Sequence, residues 1–518
     1  MIIALTGATG NMGREALKEL LQIKYIEKIK ILILPDDKRD KKIKKQFSDH
    51  LSRIEIVYGN IADRQVCRYL VKDCSYVISL CAVIPPHSDK DPQKAIECNQ
   101  IGVDCLVSEI EKIKENQPKL IHTSTVALYG NRNSKHIYGR VGDPLLVSPY
   151  DIYSATKLRG EFRVLESDIE DFVVLRQTAM LHYNMLLDNM SDGLMFHTCF
   201  NAPLEWATAE DSGRLIANII KEDQTRDLKK VFWNKVFNIG GGELNRVTGF
   251  DTLNEGFKLI GGSTKDFFDT NYNSLRNFHG VWFSDGHLLN DLFHYQTQSV
   301  AWFWKELDAR NPLFKLGKIV SKPIIKKFAI ERLLKNYNSP TFWVKSNDEG
   351  KIIAYFGGKD KYYNIPSDWK DFPLLIENKD ENGKEIDYNA LKASENEKNF
   401  DYFYDIDQDD DKITIKDLQA VAEAHGGKLL SKKFEKGNLR EKLIWENQDG
   451  KQFTASAYTV IKAGHWINPI YTENVWDFDR LSKKDKIFAQ IWYDSHDKDE
   501  DYIYSFDENF NAKIKKID

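Results

Sequence analysis

Thr6-Gly7-Ala8-Thr9-Gly10-Asn11-Met12-Gly13 stands between an apolar run, Ile2-Ile3-Ala4-Leu5, and a stretch of helical periodicity, Arg14-Glu15-Ala16-Leu17-Lys18-Glu19-Leu20-Leu21. The order reads strand, tight turn, helix. Glycine lets the chain turn sharply and lets a ligand come close to the backbone. The helix start then offers unpaired N–H groups and the positive end of a dipole. Together these make a cradle for the pyrophosphate of a dinucleotide. A tight turn without a ligand is the plainer reading; the strand–turn–helix context favours the cradle.

Outward from this turn the same alternation continues. Ile29 to Leu34, Ile54 to Tyr58, Tyr76 to Leu80 and Leu120 to His122 are apolar runs of strand type, and Ala95 to Ile113 is helical and carries Asn99. Strands alternating with helices predict an α/β fold, a doubly wound parallel sheet of Rossmann-like type. The second strand is followed by Pro35-Asp36-Asp37-Lys38-Arg39. An acid there reads the ribose hydroxyls of NAD and an arginine favours the phosphate of NADP, so the choice stays open.

Tyr153-Ser154-Ala155-Thr156-Lys157 opens a helical pattern reaching about Leu165. Residues i and i+4 share a helix face. Lys157 is therefore expected beside Tyr153, where a cation lowers the pKa of a phenol. Such a phenol can exchange a proton with an alcohol or carbonyl oxygen, which Thr125 can hold from the end of the fifth strand. Alone, this spacing is common by chance.

In bulk the chain is ordinary: 518 residues, net charge -5 and 29% charged residues. That length suggests about three domains. The charge gives no basic field to attract nucleic acid, so no nucleic-acid partner is expected. No apolar run approaches the roughly 20 residues of a membrane span. Cys67, Cys74, Cys81, Cys98, Cys105 and Cys199 form no CxxC pair and are expected to be reduced, in a cytoplasmic protein whose first core strand leaves no room for a leader.

Taken in order, these segments resemble the short-chain dehydrogenase/reductase superfamily, in its extended, epimerase/dehydratase-like branch, over residues 1 to about 305. The resemblance implies a cofactor, NAD or NADP, held by Gly7, Thr9, Gly10, Asn11, Met12, Gly13, Asp36, Asn60, Ile61, Cys81, Ala82, Val83, Tyr153, Lys157, Gln177 and Thr178. It implies Tyr153 as acid/base, Lys157 as its pKa-lowering and ribose-holding partner, Thr125 with Ser124 on the reacting oxygen, and Asn99 on a proton-relay water. A small substrate lobe and a homodimer are also implied. Two departures narrow the chemistry. Val126 and Ala127 replace the Asp-Glu pair of sugar-nucleotide dehydratases, and Gln177 replaces a proline. Oxidoreduction at a hydroxyl or carbonyl of a small molecule is therefore expected. Nucleotide-sugar epimerisation is the alternative, as is a non-catalytic cofactor-binding scaffold whose C-terminal half binds a partner.

Residues from Tyr183 to Glu210 are expected to build the substrate lid, with Met180, Met185, Met190, Met195, Phe196, Phe200 and Trp206 as adaptable apolar side chains. His182, Asp188, Asp192 and His197 fit no metal-ligand spacing, so no metal is expected. Beyond about 305 the reading thins. Lys315 to Tyr337 is basic and amphipathic, expected as a connecting helix region over 306–340, interrupted at Pro323, though such a stretch can lie on an anionic membrane. Residues 341–518 are expected to form an accessory α+β region, with strand-like runs at Phe342-Trp343-Val344 and Ile352 to Phe356 and a charged linker over 376–412. Asp405, Asp407, Asp409, Asp410 and Asp411 lack the glycine and glutamate of a calcium loop. Thr414 is placed to cap a helix ending at Gly426-Gly427. Residues 413–470 resemble a zinc-ribbon repeat that has lost its metal, with Asn447, Lys451, Ile467 and Ile470 at the ligand positions.

Overall fold

The structure, a computed structural model, describes residues 1–132, 135–186, 193–375, 400–506 and 513–516. Seven strands form the main sheet: β1 Ile2–Thr6, β2 Lys28–Ile33, β3 Ile54–Tyr58, β4 Tyr76–Ser79, β5 Lys119–Thr125, β6 Phe172–Gln177 and β7 Lys235–Ile239. Their order is β7-β6-β5-β4-β1-β2-β3, and every pairing is parallel. Leu5 aligns with Ile31 on one side and Ile78 on the other. Between β1 and β4 the strand order reverses, which opens a crevice at the carboxyl ends of the strands. This is the doubly wound sheet expected from the apolar runs, with the side chains of its central strands buried on both faces.

Helices α1 Asn11–Leu21 and α5 Ala209–Asp223 cover one face, burying Leu17, Leu20, Leu215 and Ile219 against Ile31 and Ile78. Helices α2 Arg64–Val71, α3 Gly102–Glu111 and α4 Ile152–Leu165 cover the other. A π-helical turn, Ile96–Ile101, leads into α3 and carries Asn99. Such turns in a helix often mark functional positions.

The C-terminal region differs from expectation. The runs at 342–344 and 352–356 are not strands but lie in helices Pro340–Ser346 and Glu349–Phe356. Pro340 occupies the first turn of one helix, and the Asp348 carboxylate accepts the Lys351 N–H at the start of the other. All seven residues from Gly350 to Phe356 are buried, so no polar face interrupts the apolar run and its helical period is hidden. The basic stretch is broken into short pieces, Phe314–Gly317, Lys322–Ile325, Lys326–Ile330 and Glu331–Leu333. It docks through Ile330 and Leu334, while Ile319 and Phe328 stay exposed. Among the described residues no helix is long and apolar enough to cross a membrane. Most of the linker, 376–399, lies outside the described residues, as do Asp188, Met190 and Asp192.

The helix after Thr414 forms as expected, Ile415–Ala424, with the Asp417 carboxylate accepting the Thr414 N–H at 2.8 Å. A three-stranded sheet, Lys428–Leu429, Lys442–Glu446 and Gln452–Ser456, follows. Where the resemblance places metal ligands, the Asn447 amide bridges the two loops instead. It donates to the Ile467 carbonyl at 3.2 Å and accepts the Lys451 N–H at 2.9 Å.

This region packs into the first one. Trp343, Trp445, Trp466 and Trp476 share a continuous core with Leu128, Tyr129, Leu145 and Leu158. The buried Arg176 guanidinium donates to Glu161 at 2.6 Å and to the Ala463 carbonyl at 2.7 Å, and His465 Nε2 lies 3.0 Å from the same carboxylate. Burial works to raise the Glu161 carboxyl, yet Arg176 and His465 hold it well below the usual carboxylate range.

Candidate active site

At the end of β1 the chain turns at Gly7, with φ of +75°. The Gly10 N–H donates to the Gly7 carbonyl at 2.9 Å. A Cβ on Gly13 would lie 2.1 Å from that carbonyl oxygen, so only glycine lets α1 start against the turn. No side chain caps the start of α1. The Thr6 hydroxyl accepts the N–H groups of Leu80 and Cys81 at 3.0 and 3.1 Å, which fixes the end of β4 beside the turn.

A cavity of about 880 Å³ opens from this turn to the carboxyl ends of β5 and β6. Its wall includes Gly7, Thr9, Gly10, Asn11, Met12, Gly13, Asp36, Asn60, Ile61, Cys81, Ala82, Val83, Thr125, Tyr153, Gln177 and Thr178. These are the positions to which the resemblance assigned the cofactor, except Lys157, which does not line the cavity, and with Thr125 added. The backbone turn, the uncapped helix start and the cavity beside them fit the diphosphate of a dinucleotide. Asp37, rather than Asp36, is the engaged acid at the far end. It accepts from Thr9 at 3.1 Å and from Arg39 Nε and Nη2 at 2.9 and 2.8 Å. The Arg39 hydrogen bond holds the Asp37 carboxyl below its ordinary range.

Tyr153 lies in the first turn of α4, whose start is capped by Asp151 accepting the Ser154 N–H at 2.9 Å. The other Asp151 oxygen lies 3.1 Å from His279 Nδ1. The Thr125 hydroxyl accepts the Ala127 N–H at 3.2 Å and shares a hydrogen bond with the Tyr153 phenol. Burial pushes that phenol up to about 12, opposed by the Thr125 hydrogen bond. The expected lowering by Lys157 is not what the structure has. The Lys157 ammonium donates to the Thr123 carbonyl at 2.6 Å, and its charge acts on Cys81. A hydrogen bond from Cys98, with help from Thr6 and Lys157, brings the Cys81 thiol down to about 7.

Lys157, Asn99 and Ser124 stand behind the cavity wall rather than in it. The Asn99 amide accepts the Val83 N–H at 2.9 Å and donates to the Val83 carbonyl at 3.0 Å and to Thr156 at 3.1 Å. That ties the loop after β4 to α4, a positioning arrangement. Ser124 is buried behind Thr125. Of the lid side chains, Met180, Met185, Met195 and Trp206 line the cavity, with His182 and His197. Phe196 and Phe200 instead belong to an aromatic core.

Residues 3–176 match the NAD dependent epimerase/dehydratase family. Among solved structures the chain is similar to the UDP-glucuronic acid 4-epimerase of Bacillus cereus, solved with UDP-glucuronic acid and NAD (22% identity over 61% of this chain and 99% of that chain, TM-score 0.46). It is also similar to the dTDP-glucose 4,6-dehydratase of Bacillus anthracis, solved with NAD (18% identity, 61% and 98%, TM-score 0.48), and to the dTDP-glucose 4,6-dehydratase DesIV of Streptomyces venezuelae (16% identity, 61% and 100%, TM-score 0.48). No curated protein matches the chain.

The epimerase/dehydratase match ends at Arg176, yet the cavity wall continues far beyond it. Asn338, Trp343, Lys351, Tyr355 and Trp476 line the cavity from the C-terminal region, as do Tyr150 and His279 from the first. Sequence reading missed all of these. The available signal was Lys351, a charge at the head of the apolar run Ile352-Ile353-Ala354-Tyr355-Phe356.

Proposed function

We propose that this chain is an NAD-dependent oxidoreductase acting on a hydroxyl or carbonyl of a small molecule. Residues 1 to about 305 would be the catalytic unit and residues 341–518 a fixed wall of its substrate pocket. The observation that carries the reading is the single cavity joining the glycine turn at Gly7 to the Thr125–Tyr153 pair. Bound there, the nicotinamide dinucleotide would supply or accept hydride. The amides at the start of α1 and the Thr9 hydroxyl would hold its phosphates. Asp37 would read the adenosine ribose. With Arg39 neutralised by that carboxylate, the end of β2 favours hydroxyls over a phosphate, hence NAD over NADP.

The Tyr153 Oη keeps its proton at neutral pH, so Tyr153 would serve as the acid towards a carbonyl oxygen, with the Thr125 hydroxyl on the same oxygen. Val126, in the cavity wall beside Thr125, and Ala127, buried next to it, offer no carboxylate for eliminating water. This supports oxidoreduction over dehydration. The test is calorimetric titration with NADH and NADPH, followed by a screen of alcohols and ketones with the preferred cofactor. Binding of NADH and turnover that Tyr153→Phe abolishes would support the proposal. Binding of neither dinucleotide, or full turnover in the variant, would overturn it.

A further inference from the structure

We infer that the C-terminal region builds an anion-recognising subsite over Tyr153, with Lys351 as its charged group, and that the substrate is a flat, aromatic or similarly apolar molecule carrying a carboxylate. The inference rests on the reading of this cavity as a cofactor and substrate site.

Lys351 is 9% exposed and lines the cavity. An ammonium taken out of water is normally compensated by an ion pair and hydrogen bonds. Among the described residues the Lys351 ammonium has neither. Its contact is with a ring face, 5.3 Å from the centroid of Trp343. The nearby carboxylates are Asp348 and Asp89, which act on it through space. Asp348 is occupied in capping the helix that carries Lys351. Burial lowers the Lys351 pKa, the direction that a bound anion would reverse.

The surroundings of Lys351 define the rest of the ligand. Trp343 stacks on Tyr355 with ring centroids 4.8 Å apart, and His197 meets the edge of Trp343 at 4.9 Å. Three hydrogen bonds fix these rings. His197 Nε2 is 2.5 Å from the Asn338 carbonyl, Trp343 Nε1 donates to the Tyr337 carbonyl at 2.8 Å, and the Tyr355 hydroxyl donates to the Pro149 carbonyl at 3.2 Å. A preset aromatic wall favours a flat apolar body. It also sits at the catalytic end of the cavity. Tyr355 is hydrogen-bonded to the Pro149 carbonyl four residues before Tyr153, and Asp151, which caps the helix of Tyr153, lines the same cavity as His197 and Lys351. The anion would thus be held on the Tyr153 side, away from the glycine turn.

The experiment is calorimetric binding of 2-naphthoate and indole-3-acetate, each beside its uncharged amide, to the full-length protein with and without saturating NAD. Wild type is expected to bind at least one acid ten times more tightly than its amide. Lys351→Met is expected to bring each pair within about twofold, and Lys351→Arg to keep the preference. Equal binding of acid and amide by wild type, binding of neither, or a preference that survives in Lys351→Met would overturn the inference. NAD affinity measured on the same samples reports separately on the cofactor reading. Failure there with the acid preference intact would remove the enzyme and leave the anion subsite standing.

Discussion

The hydroxyl of Tyr355 donates to the main-chain carbonyl of Pro149 at 3.2 Å, four residues before Tyr153. Through this bond, and through the core that Trp343 and Trp476 share with Leu128 and Tyr129, the C-terminal region is part of the structure that holds the candidate active site. Removing it would leave Leu128, Tyr129, Leu145 and Leu158 facing water and Arg176 without the Ala463 carbonyl. A chain cut after residue 340 is therefore expected to be insoluble or molten. The intact chain should unfold in urea as one transition, coincident by tryptophan fluorescence and far-UV circular dichroism. A soluble, cooperatively folding 1–340 fragment would show that the shared core is dispensable.

Tyr153→Phe removes one oxygen next to Thr125 and leaves the glycine turn untouched. NADH affinity should stay within about threefold of wild type, while turnover of any substrate found should fall by about 10²–10⁴, the usual contribution of a general acid. Stopped-flow measurement of NADH oxidation separates the two effects.

Asp37 holds Arg39 in a bidentate grip, so the arginine is not free to meet a phosphate. Asp37→Ala removes both the acceptor for ribose hydroxyls and the neutralising charge. The ratio of NADPH to NADH affinity should rise at least tenfold, and the salt dependence of NADPH binding should steepen. An unchanged ratio would place the ribose elsewhere.

The sheet was legible because its central strands are buried on both faces and so read as apolar runs, and the turn was legible because Gly7 and Gly13 sit where a Cβ cannot. The substrate wall was not. Helix 349–356 is buried on every side, which erases the periodicity that distinguishes helix from strand, and Lys351 meets the pocket across some two hundred residues of chain. No local pattern encodes such a contact. Asn99 is an intermediate case. Its place on the helix was read correctly, but its partners Val83 and Thr156 come from segments that only the fold brings together. Lys157 shows the limit of spacing arguments. Four residues put it on the face of Tyr153, while the Thr123 carbonyl decides where its charge goes.

Cys81 lines the cavity and its thiol is brought down to about 7, whereas Cys98, its hydrogen-bond partner, is pushed up. The thiolate is the nucleophile. Iodoacetamide should therefore label Cys81 ahead of Cys98, with a rate whose midpoint lies below that of an ordinary thiol. Saturating dinucleotide should slow that labelling at least tenfold, because Cys81 forms part of the wall behind the glycine turn. Peptide mass spectrometry across pH 5.5–9 reads both effects. A midpoint above pH 8.5 would mean that the Cys98 hydrogen bond and the Lys157 charge do not reach the thiol.

His197 gives the pocket a pH limit. Burial among Trp343 and Tyr355 lowers its pKa from 6.5 to about 4, so the folded protein keeps the ring neutral where the unfolded chain would protonate it. The unfolded state then binds more protons below pH 6.5, and folding free energy falls with pH from there to about pH 4. Above pH 6.5 the contribution is fully present. The loss expected from this one group is on the order of 2 kcal/mol, allowing for partial solvent contact. His197→Gln removes the titration while keeping a donor for the Asn338 carbonyl. Urea midpoints of wild type and variant, measured at pH 7.5 and 4.5, should therefore show a smaller acid loss in the variant. Equal losses would mean that His197 is protonated in the folded protein at acid pH, and that the Asn338 hydrogen bond survives its charging.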